Sequence, residues 1–253
     1  MKLNKLQNTL FLIGLSGCGG ELELELSDSA APIIAGVLDH EHAAVGQVGL
    51  THRGRIALVC TGTLVGPSTV LTAAHCLFDR ERRVTAPRLW FVLDGHAVSS
   101  VAASYVITSY APLRGAWDDL AILKLDEPID VEPIPVSSGS PAPTLTEVIG
   151  YGVTAVTGSH QGPGGGVRRR ATVQLDSIAE QEVAYEVSPS GACFGDSGGP
   201  LVQVIEGREV VVAVTSRGTS ATCRGIDIAT RTDAFLSWIR SKSGPDVCVG
   251  RCD

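Results

Sequence analysis

The chain has 253 residues, 44% of them hydrophobic, so it can bury a large core as one large all-β domain or two small ones. A formal net charge of −7 argues against the basic surface expected of a nucleic-acid-binding protein. The 29 glycines and 13 prolines favour many short strands joined by turns.

The first 17 residues have the pattern of an export signal. Lys2 and Lys5 precede an apolar run at 10–15 that is too short to span a bilayer. The following Leu15-Ser16-Gly17-Cys18 resembles the lipobox of bacterial lipoproteins, which implies cleavage before Cys18 and a lipid on that residue. An ordinary signal peptide is the alternative. Residues 18–32 are acidic and then rich in Ser, Ala and Pro, which predicts a lipidated tether or propeptide exposed to solvent.

Strand-forming residues occur in two groups. The first group is predicted at 45–50, 56–65, 89–93 and 120–125, where β-branched and apolar residues concentrate. Five prolines between 128 and 143 cannot occupy a central strand, so they predict the crossing between two halves. The second group is predicted at 147–153, 171–175, 184–187, 200–204 and 210–215. A helix is predicted at 233–240, where Phe235, Leu236 and Ile239 fall at helical spacing.

The segment Gly191-Ala192-Cys193-Phe194-Gly195-Asp196-Ser197-Gly198-Gly199-Pro200 has the composition of a reactive serine loop or, alternatively, of an ordinary tight turn. A serine hydroxyl is a weak nucleophile, so it needs an adjacent base and fixed donors for the oxyanion. Glycines allow the backbone to turn so that the N–H groups of Gly195 and Ser197 can point into one hole. A candidate base and its orienting carboxylate are found in Thr72-Ala73-Ala74-His75-Cys76 and Asp119-Leu120-Ala121-Ile122-Leu123.

These three segments, in the order His75, Asp119, Ser197, resemble the chymotrypsin/trypsin family of serine peptidases from about residue 33 to 240. The resemblance implies an all-β fold of two packed six-stranded antiparallel barrels with a C-terminal α-helix, over residues 33–243, and a tail at 244–253. It also implies a catalytic triad in the cleft between the barrels, an oxyanion hole formed by Gly195 and Ser197, and protein or peptide substrates. We expect no cofactor and a monomer.

The resemblance also implies an activation junction. In the family, a cut before the first isoleucine frees an α-amine that pairs with the aspartate preceding the nucleophile, here Ile33 and Asp196. A buried carboxylate needs such a cation. Pro32 stands where trypsin-type zymogens carry a basic residue, so self-activation at this bond is not expected.

Four residues are expected in the substrate pocket by the same resemblance: Gly191, Ser216, Gly218 and Asp227. Gly191 replaces the aspartate at the floor of the trypsin pocket, and Asp227 lies where the family usually has glycine. A single buried charge largely decides such pockets, so Asp227 predicts a basic or mixed P1 preference. An apolar P1 residue is the rival prediction.

The resemblance pairs Cys60 with Cys76 and Cys193 with Cys223, which leaves Cys248 and Cys252 to pair in the tail. Three disulfides indicate an oxidising compartment. We therefore expect an exported protein that is either anchored to a bacterial membrane through the lipid on Cys18 or released to the periplasm or the extracellular space. No other membrane contact is expected.

Two alternatives remain open at this point. The chain could be a non-catalytic homologue that uses the same fold as a binding module, because fold alone does not establish function. His40-Glu41-His42 resembles a short metal motif, but a spacing of two with no further ligand is weak, so we expect a surface loop and no metal.

Overall fold

The structure is a computed structural model that describes residues 33–79, 82–85, 87–94, 98–111, 118–156 and 162–252. The predicted signal peptide, Cys18 and the tether lie outside the described residues. The described part confirms the all-β, trypsin-like two-barrel fold with one short C-terminal helix.

The described residues of the first half contain nine strands, six of which close into a barrel. The strands are β1 (Val37–Leu38), β2 (Val45–His52), β3 (Arg55–Gly66), β4 (Thr69–Thr72), β5 (Phe78–Asp79), β6 (Arg82–Arg83), β7 (Leu89–Val92), β8 (Ser99–Val106) and β9 (Ala121–Leu125). The closed barrel has the antiparallel order β2-β3-β4-β9-β8-β7, while β5 and β6 pair only with each other. Closure pairs every strand edge of the barrel, so no backbone edge is left unpaired.

The second half forms an eight-stranded antiparallel sheet. Its strands are β10 (Leu145–Gly150), β11 (Arg169–Gln174), β12 (Ser177–Ile178), β13 (Glu182–Val187), β14 (Pro200–Ile205), β15 (Arg208–Gly218) and β16 (Gly225–Arg231), joined by β1 from the N-terminal segment. The order is β1-β11-β10-β14-β15-β16-β13-β12. The six middle strands curl until β11 and β13 pack against each other, and the two-residue strands β1 and β12 lie outside them.

Each half has its own apolar core. Apolar side chains from the barrel strands, such as Leu64, Leu71, Phe91 and Ile122, are completely buried in the first cluster. Side chains in β11 and β13 alternate between buried and exposed positions, as expected for strands with one face against a core. Ile33 is also completely buried and belongs to the core of the second half.

The C-terminal segment returns to the first barrel. The predicted helix begins as a 3₁₀ turn at Asp233–Phe235 and continues as α1 (Leu236–Ser243), which packs against β9. Trp238 is partly buried against the first core. Among the described residues, no helix is long and apolar enough to cross a membrane.

The three predicted disulfides are present: Cys60–Cys76, Cys193–Cys223 and Cys248–Cys252. The first closes a loop with a sequence separation of 16 and holds the segment that carries His75. On the chain-entropy model a loop of this size stabilises the fold by about 3 kcal/mol. The second joins the loop that carries Ser197 to the segment before β16.

Candidate active site

His75 lies in a 3₁₀ turn at Ala74–Leu77, directly after β4. Its backbone N–H donates to Asp119 Oδ1 at 2.9 Å, and its Nδ1 lies 2.7 Å from Asp119 Oδ2. Ser216, in β15 of the other half, donates from its hydroxyl to Asp119 Oδ2 at 2.6 Å. One carboxylate therefore fixes both the position and the ring orientation of His75.

The environment keeps Asp119 ionised. Asp119 is completely buried, and burial alone would raise its pKa. The hydrogen bonds and charge of His75, together with the hydrogen bond from Ser216, outweigh burial and hold the pKa of Asp119 below its ordinary value. An ionised Asp119 accepts a hydrogen bond from Nδ1–H of His75, which leaves the Nε2 lone pair of a neutral imidazole available as a base.

Contacts from both halves hold the Ser197 loop. The backbone N–H of Thr61, in β3, donates to the carbonyl of Ser197 at 2.8 Å, and Gly198 N–H donates to the carbonyl of Thr215 at 2.8 Å. Gly198 has φ 84°, and a Cβ added there would lie 2.1 Å from the hydroxyl oxygen of Thr72. Only glycine fits this combination of backbone angle and space.

Two backbone donors next to Ser197 are unused. Within the described residues, the N–H groups of Gly195 and Ser197 have no hydrogen-bond acceptor, whereas those of Asp196, Gly198 and Gly199 do. Gly195 takes φ 102°, a left-handed angle that turns this segment. Both residues line the same cavity as His75. Free donors at one point on a cavity wall can stabilise negative charge that develops there.

His75 and Ser197 both line two adjoining cavities, so their side chains share one groove. Among the described residues, no hydrogen bond joins the Ser197 hydroxyl to the His75 imidazole. Catalytic hydrogen bonds are often long without substrate and shorten in the complex. The geometry thus brings the imidazole and the hydroxyl to one groove without a direct bond between them.

The cavity of about 600 Å³ on one side of Ser197 contains most of the predicted pocket residues. Ser216, Gly218 and Asp227 line it, whereas Gly191 does not, and the neighbouring Ala192 takes its place on the wall. A Cβ at Gly191 would lie 2.7 Å from the methyl groups of Val187, so this glycine is explained by close packing.

Asp227 is the buried charge of this cavity. It is 6% exposed and accepts a hydrogen bond from the backbone N–H of Ala192 at 3.1 Å. Burial raises the pKa of Asp227 to about 6. Tyr185 lies opposite Asp227 on the neighbouring strand β13. A cationic side chain in the cavity would relieve the cost of the ionised carboxylate.

Two further residues line this cavity, of which only Tyr110 was not singled out from the sequence. Tyr110 lies in the loop after β8, and burial followed by the charge of Asp119 raises its pKa to about 12. Arg217 forms a two-pronged ion pair with Glu182, with contacts of 2.6 and 3.1 Å. Tyr110 carries no local sequence signal, because only the folded loop brings it to the cavity, whereas Arg217 directly follows Ser216 in β15, where the resemblance places the substrate groove.

The second cavity, of about 850 Å³, lies on the other side of His75 and Ser197. Its walls include apolar and aromatic side chains from both halves, among them Leu50 and Leu58 of the first barrel, Phe78 of β5 and Tyr151, which follows β10. Leu58 is 45% exposed, so an apolar surface is accessible there. The two cavities together form a groove that could hold an extended chain across Ser197.

Asp196 is a buried carboxylate that forms no salt bridge among the described residues, although the charge of Arg169 acts on it from a distance. It is completely buried, and its oxygens accept hydrogen bonds from the N–H groups of Gly152 at 2.7 Å and Cys193 at 2.8 Å. No salt bridge to Asp196 is present among the described residues, and burial raises its pKa to about 7. Ile34 and Gly191 exchange backbone hydrogen bonds, so the segment that begins at Ile33 lies beside this loop.

Comparison with known proteins shows which proteins this chain resembles. The sequence profile described as Trypsin matches residues 33–239. Human granzyme M is 30% identical over 221 aligned residues, which cover 74% of this chain and 80% of granzyme M.

Proposed function

The chain belongs to the trypsin family, and from this premise we propose that it is a serine endopeptidase with His75, Asp119 and Ser197 as its catalytic triad. The observation that carries the proposal is the junction at Asp119, which bonds His75 from one half of the molecule and Ser216 from the other. The unused N–H donors of Gly195 and Ser197 support it further.

In the proposed mechanism, His75 Nε2 removes the proton of the Ser197 hydroxyl while the Ser197 oxygen attacks the carbonyl carbon of the peptide bond. The N–H groups of Gly195 and Ser197 hold the resulting oxyanion. His75 then gives the proton to the leaving amine, and the C–N bond breaks to leave an acyl-enzyme. Water, deprotonated by His75, releases the acyl group. Asp119 stabilises the imidazolium in both steps.

We further propose a basic or mixed P1 preference, with Asp227 as the charge that attracts a Lys or Arg side chain. Asp227 lines the cavity, and its burial makes the ionised carboxylate costly until a cation arrives. An apolar P1 side chain is the rival, because protonated Asp227 presents no charge. If the enzyme cleaves a peptide library but never after Lys or Arg, the basic preference is refuted.

Activation is proposed to require a cut before Ile33. In the uncut chain the nitrogen of Ile33 is an amide joined to Pro32 and carries no charge. The cut would create an α-ammonium group on a residue that is already buried in the second core, next to a loop whose Asp196 has no salt bridge to a described residue. The ion pair would keep Asp196 charged and would hold the loop that carries Gly195 and Ser197.

The three disulfides and the family indicate an exported protein. We propose that Cys18 carries a lipid and that the cut before Ile33 releases the peptidase domain from the membrane as it activates it. No described disulfide would keep the tether attached after this cut, because the described disulfides lie between Cys60 and Cys252. Active enzyme that still begins at lipidated Cys18 would refute this proposal.

A fluorophosphonate probe tests the catalytic assignment directly, because it bonds only to an activated serine. The wild-type protein that begins at Ile33 should be labelled, and Ser197→Ala should not. Asp119→Asn should fold and label far more slowly, since it removes the negative charge that stabilises the imidazolium. A folded wild-type protein that resists the probe would favour the alternative, a binding module on the same fold.

A further inference from the structure

His42 is buried, lines neither of the two cavities at Ser197 and is not used by the proposed mechanism. Its side chain is 1% exposed. Nδ1 lies 2.9 Å from Asp39 Oδ1, and Asp39 also accepts a bond from Arg168 Nε at 2.9 Å. Because the Asp39 carboxylate can only accept, Nδ1 of His42 carries the proton. In a neutral imidazole the Nε2 lone pair then points away from Asp39.

Two carboxylates converge on that nitrogen. Nε2 of His42 lies 3.4 Å from Glu209 Oε1, a hydrogen bond when the imidazole is charged, and 3.7 Å from Glu147 Oε2. A metal ion would take the place of the Nε2 proton. The three atoms all lie within 4.8 Å of one another. Glu147 belongs to β10 and Glu209 to β15, so the fold brings together residues that are far apart in sequence.

The oxygen that Glu147 contributes has no hydrogen bond, although it is inaccessible to solvent. Its nearest cation, Nη1 of Arg170, lies at 3.5 Å and is shared with Glu41. A buried carboxylate oxygen without a donor is costly, so it calls for a ligand. This oxygen lies on the side of the carboxylate that approaches His42.

We propose that His42 Nε2, Glu147 and Glu209 bind a divalent transition-metal ion such as Zn²⁺. Ligand atoms about 2.0–2.1 Å from a tetrahedral Zn²⁺ are about 3.3–3.4 Å apart, close to the two distances from His42. In metal sites, the imidazole nitrogen that does not bind the metal usually donates a hydrogen bond to a carboxylate, which orients the ring. Asp39 would have this role for His42. The nitrogen ligand favours Zn²⁺ over Ca²⁺ and Mg²⁺, which prefer complete oxygen shells.

The charges and the access route are consistent with this site. A network of ion pairs connects His42 to five carboxylates and two guanidinium groups. With a neutral imidazole the net charge of this network is −3. Its charged members are Asp39, Glu41, Asp94, Glu147, Glu209, Arg168 and Arg170. A cavity of about 580 Å³ reaches His42 and Glu209 and leaves room for water as a fourth ligand. Arg208 and Arg251 also line this cavity and oppose a cation. The ion is therefore held by direct ligation rather than by the general field.

The proposed ion would join the N-terminal segment to the second sheet. His42 follows β1 by four residues, and the ion would connect it to two strands of the sheet that carries Ser197. An ion that binds the native state and not the unfolded chain raises stability. Bound Zn²⁺ would thus stabilise the segment that begins at Ile33, independently of any peptidase activity.

Metal titration of the purified protein, after removal of metal with a chelator, tests this site. Glu209→Gln and Glu147→Gln keep the side-chain shape and remove one anionic ligand each, and both side chains are partly exposed, at 49% and 32%. Glu206→Gln removes the same charge from the exposed turn between β14 and β15 and is the matched control. Removing a residue that only hydrogen-bonds to a metal ligand lowers metal affinity by about 10–100-fold, so removing a ligand should lower the affinity for Zn²⁺ by at least about 10-fold.

We expect one Zn²⁺ per chain, with at least about 10-fold weaker binding in Glu147→Gln and Glu209→Gln, no change in Glu206→Gln, and an increase in the melting temperature of the wild type by Zn²⁺. The absence of Zn²⁺ binding, equal binding by all variants, or a preference for Ca²⁺ would overturn the proposal. Bound Co²⁺ gives an independent test that needs no variant: wild-type protein without the visible absorption of low-coordinate Co²⁺ refutes the site.

Discussion

Replacing Asp227 by asparagine should stabilise the free protein and impair its action on basic substrates. Burial raises the pKa of Asp227 from 3.8 to about 6. The folded state therefore binds this proton more tightly than the unfolded chain does. The stability that the proton provides is fully present below about pH 4 and is lost as the pH rises through about 6.

The size of the effect follows from that difference. A shift of 6 − 3.8 = 2.2 units at about 1.36 kcal/mol per unit corresponds to about 3 kcal/mol of lost stability at pH 7. Asparagine avoids this loss because it cannot ionise, and its oxygen can still accept from Ala192 N–H. An amide N–H left without an acceptor would subtract about 1 kcal/mol. We expect Asp227→Asn to unfold with a free energy about 2–3 kcal/mol higher than the wild type at pH 7.

Urea unfolding at pH 4 and at pH 7 measures this difference, in a Ser197→Ala background that prevents self-digestion. The advantage of Asp227→Asn should appear at pH 7 and vanish at pH 4. Asp130→Asn, at an exposed position, is the matched control and should show no such dependence. Equal unfolding free energies for wild type and Asp227→Asn at pH 7 would refute the burial argument.

The same variant with Ser197 intact tests the proposed pocket. Loss of a buried charge partner costs about 2–5 kcal/mol, so kcat/KM for peptides with Lys or Arg at P1 should fall by about 30-fold or more. Peptides with an apolar P1 residue should be cleaved as well as before or better. In the wild type, kcat/KM for basic peptides should rise with pH through about 6. If Asp227→Asn leaves the ratio of kcat/KM for basic peptides to kcat/KM for apolar peptides unchanged, Asp227 does not determine the P1 preference.

Three further predictions concern the site. Ser216→Ala removes the 2.6 Å hydrogen bond to Asp119, which is worth about 1.5–3 kcal/mol because the acceptor is charged. It should lower kcat by about 10-fold or more and change the pH profile of kcat. An unchanged pH profile would contradict this role. Gly198→Ala should cost more in melting temperature than Gly54→Ala, because both have positive φ but only the first Cβ meets other atoms; calorimetry showing equal losses would contradict the packing argument. Protein that begins at Ile33 should react with a fluorophosphonate far faster than the uncut chain, and equal rates would refute the proposed activation.

The strands rich in β-branched residues were predicted close to their observed positions, because apolar alternation is a local property. The predictions missed the four two-residue strands β1, β5, β6 and β12 and the longer strands β4, β8 and β16. β8 and β16 contain Ser, Gly or charged residues among the apolar ones, and β4 has only four residues. These strands are stabilised by pairing partners on both sides, for example β4 between β3 and β9. Pairing of this kind is set by distant segments and leaves a weak signal in a local window.

The expected surface loop at 40–42 shows the same limit. Glu41 and His40 are exposed, as predicted, but His42 is buried beside Asp39. Its two further neighbours come from β10 and β15, more than a hundred residues later in the chain. The sequence around His42 therefore carried no sign of the three-residue cluster that we propose as a metal site.

By itself, the sequence determined the family, the all-β fold and the three segments that contribute His75, Asp119 and Ser197, because short motifs carry the chemistry that these residues need. Only the tertiary structure decided which of the predicted pocket residues line the cavity: Ser216, Gly218 and Asp227 do, and Ala192 takes the place of Gly191. The physical reason is strand register: an irregularity in the pairing of β15 with β16 sets Gly218 opposite Asp227. Register depends on how two strands meet across the sheet, and neither strand specifies it alone.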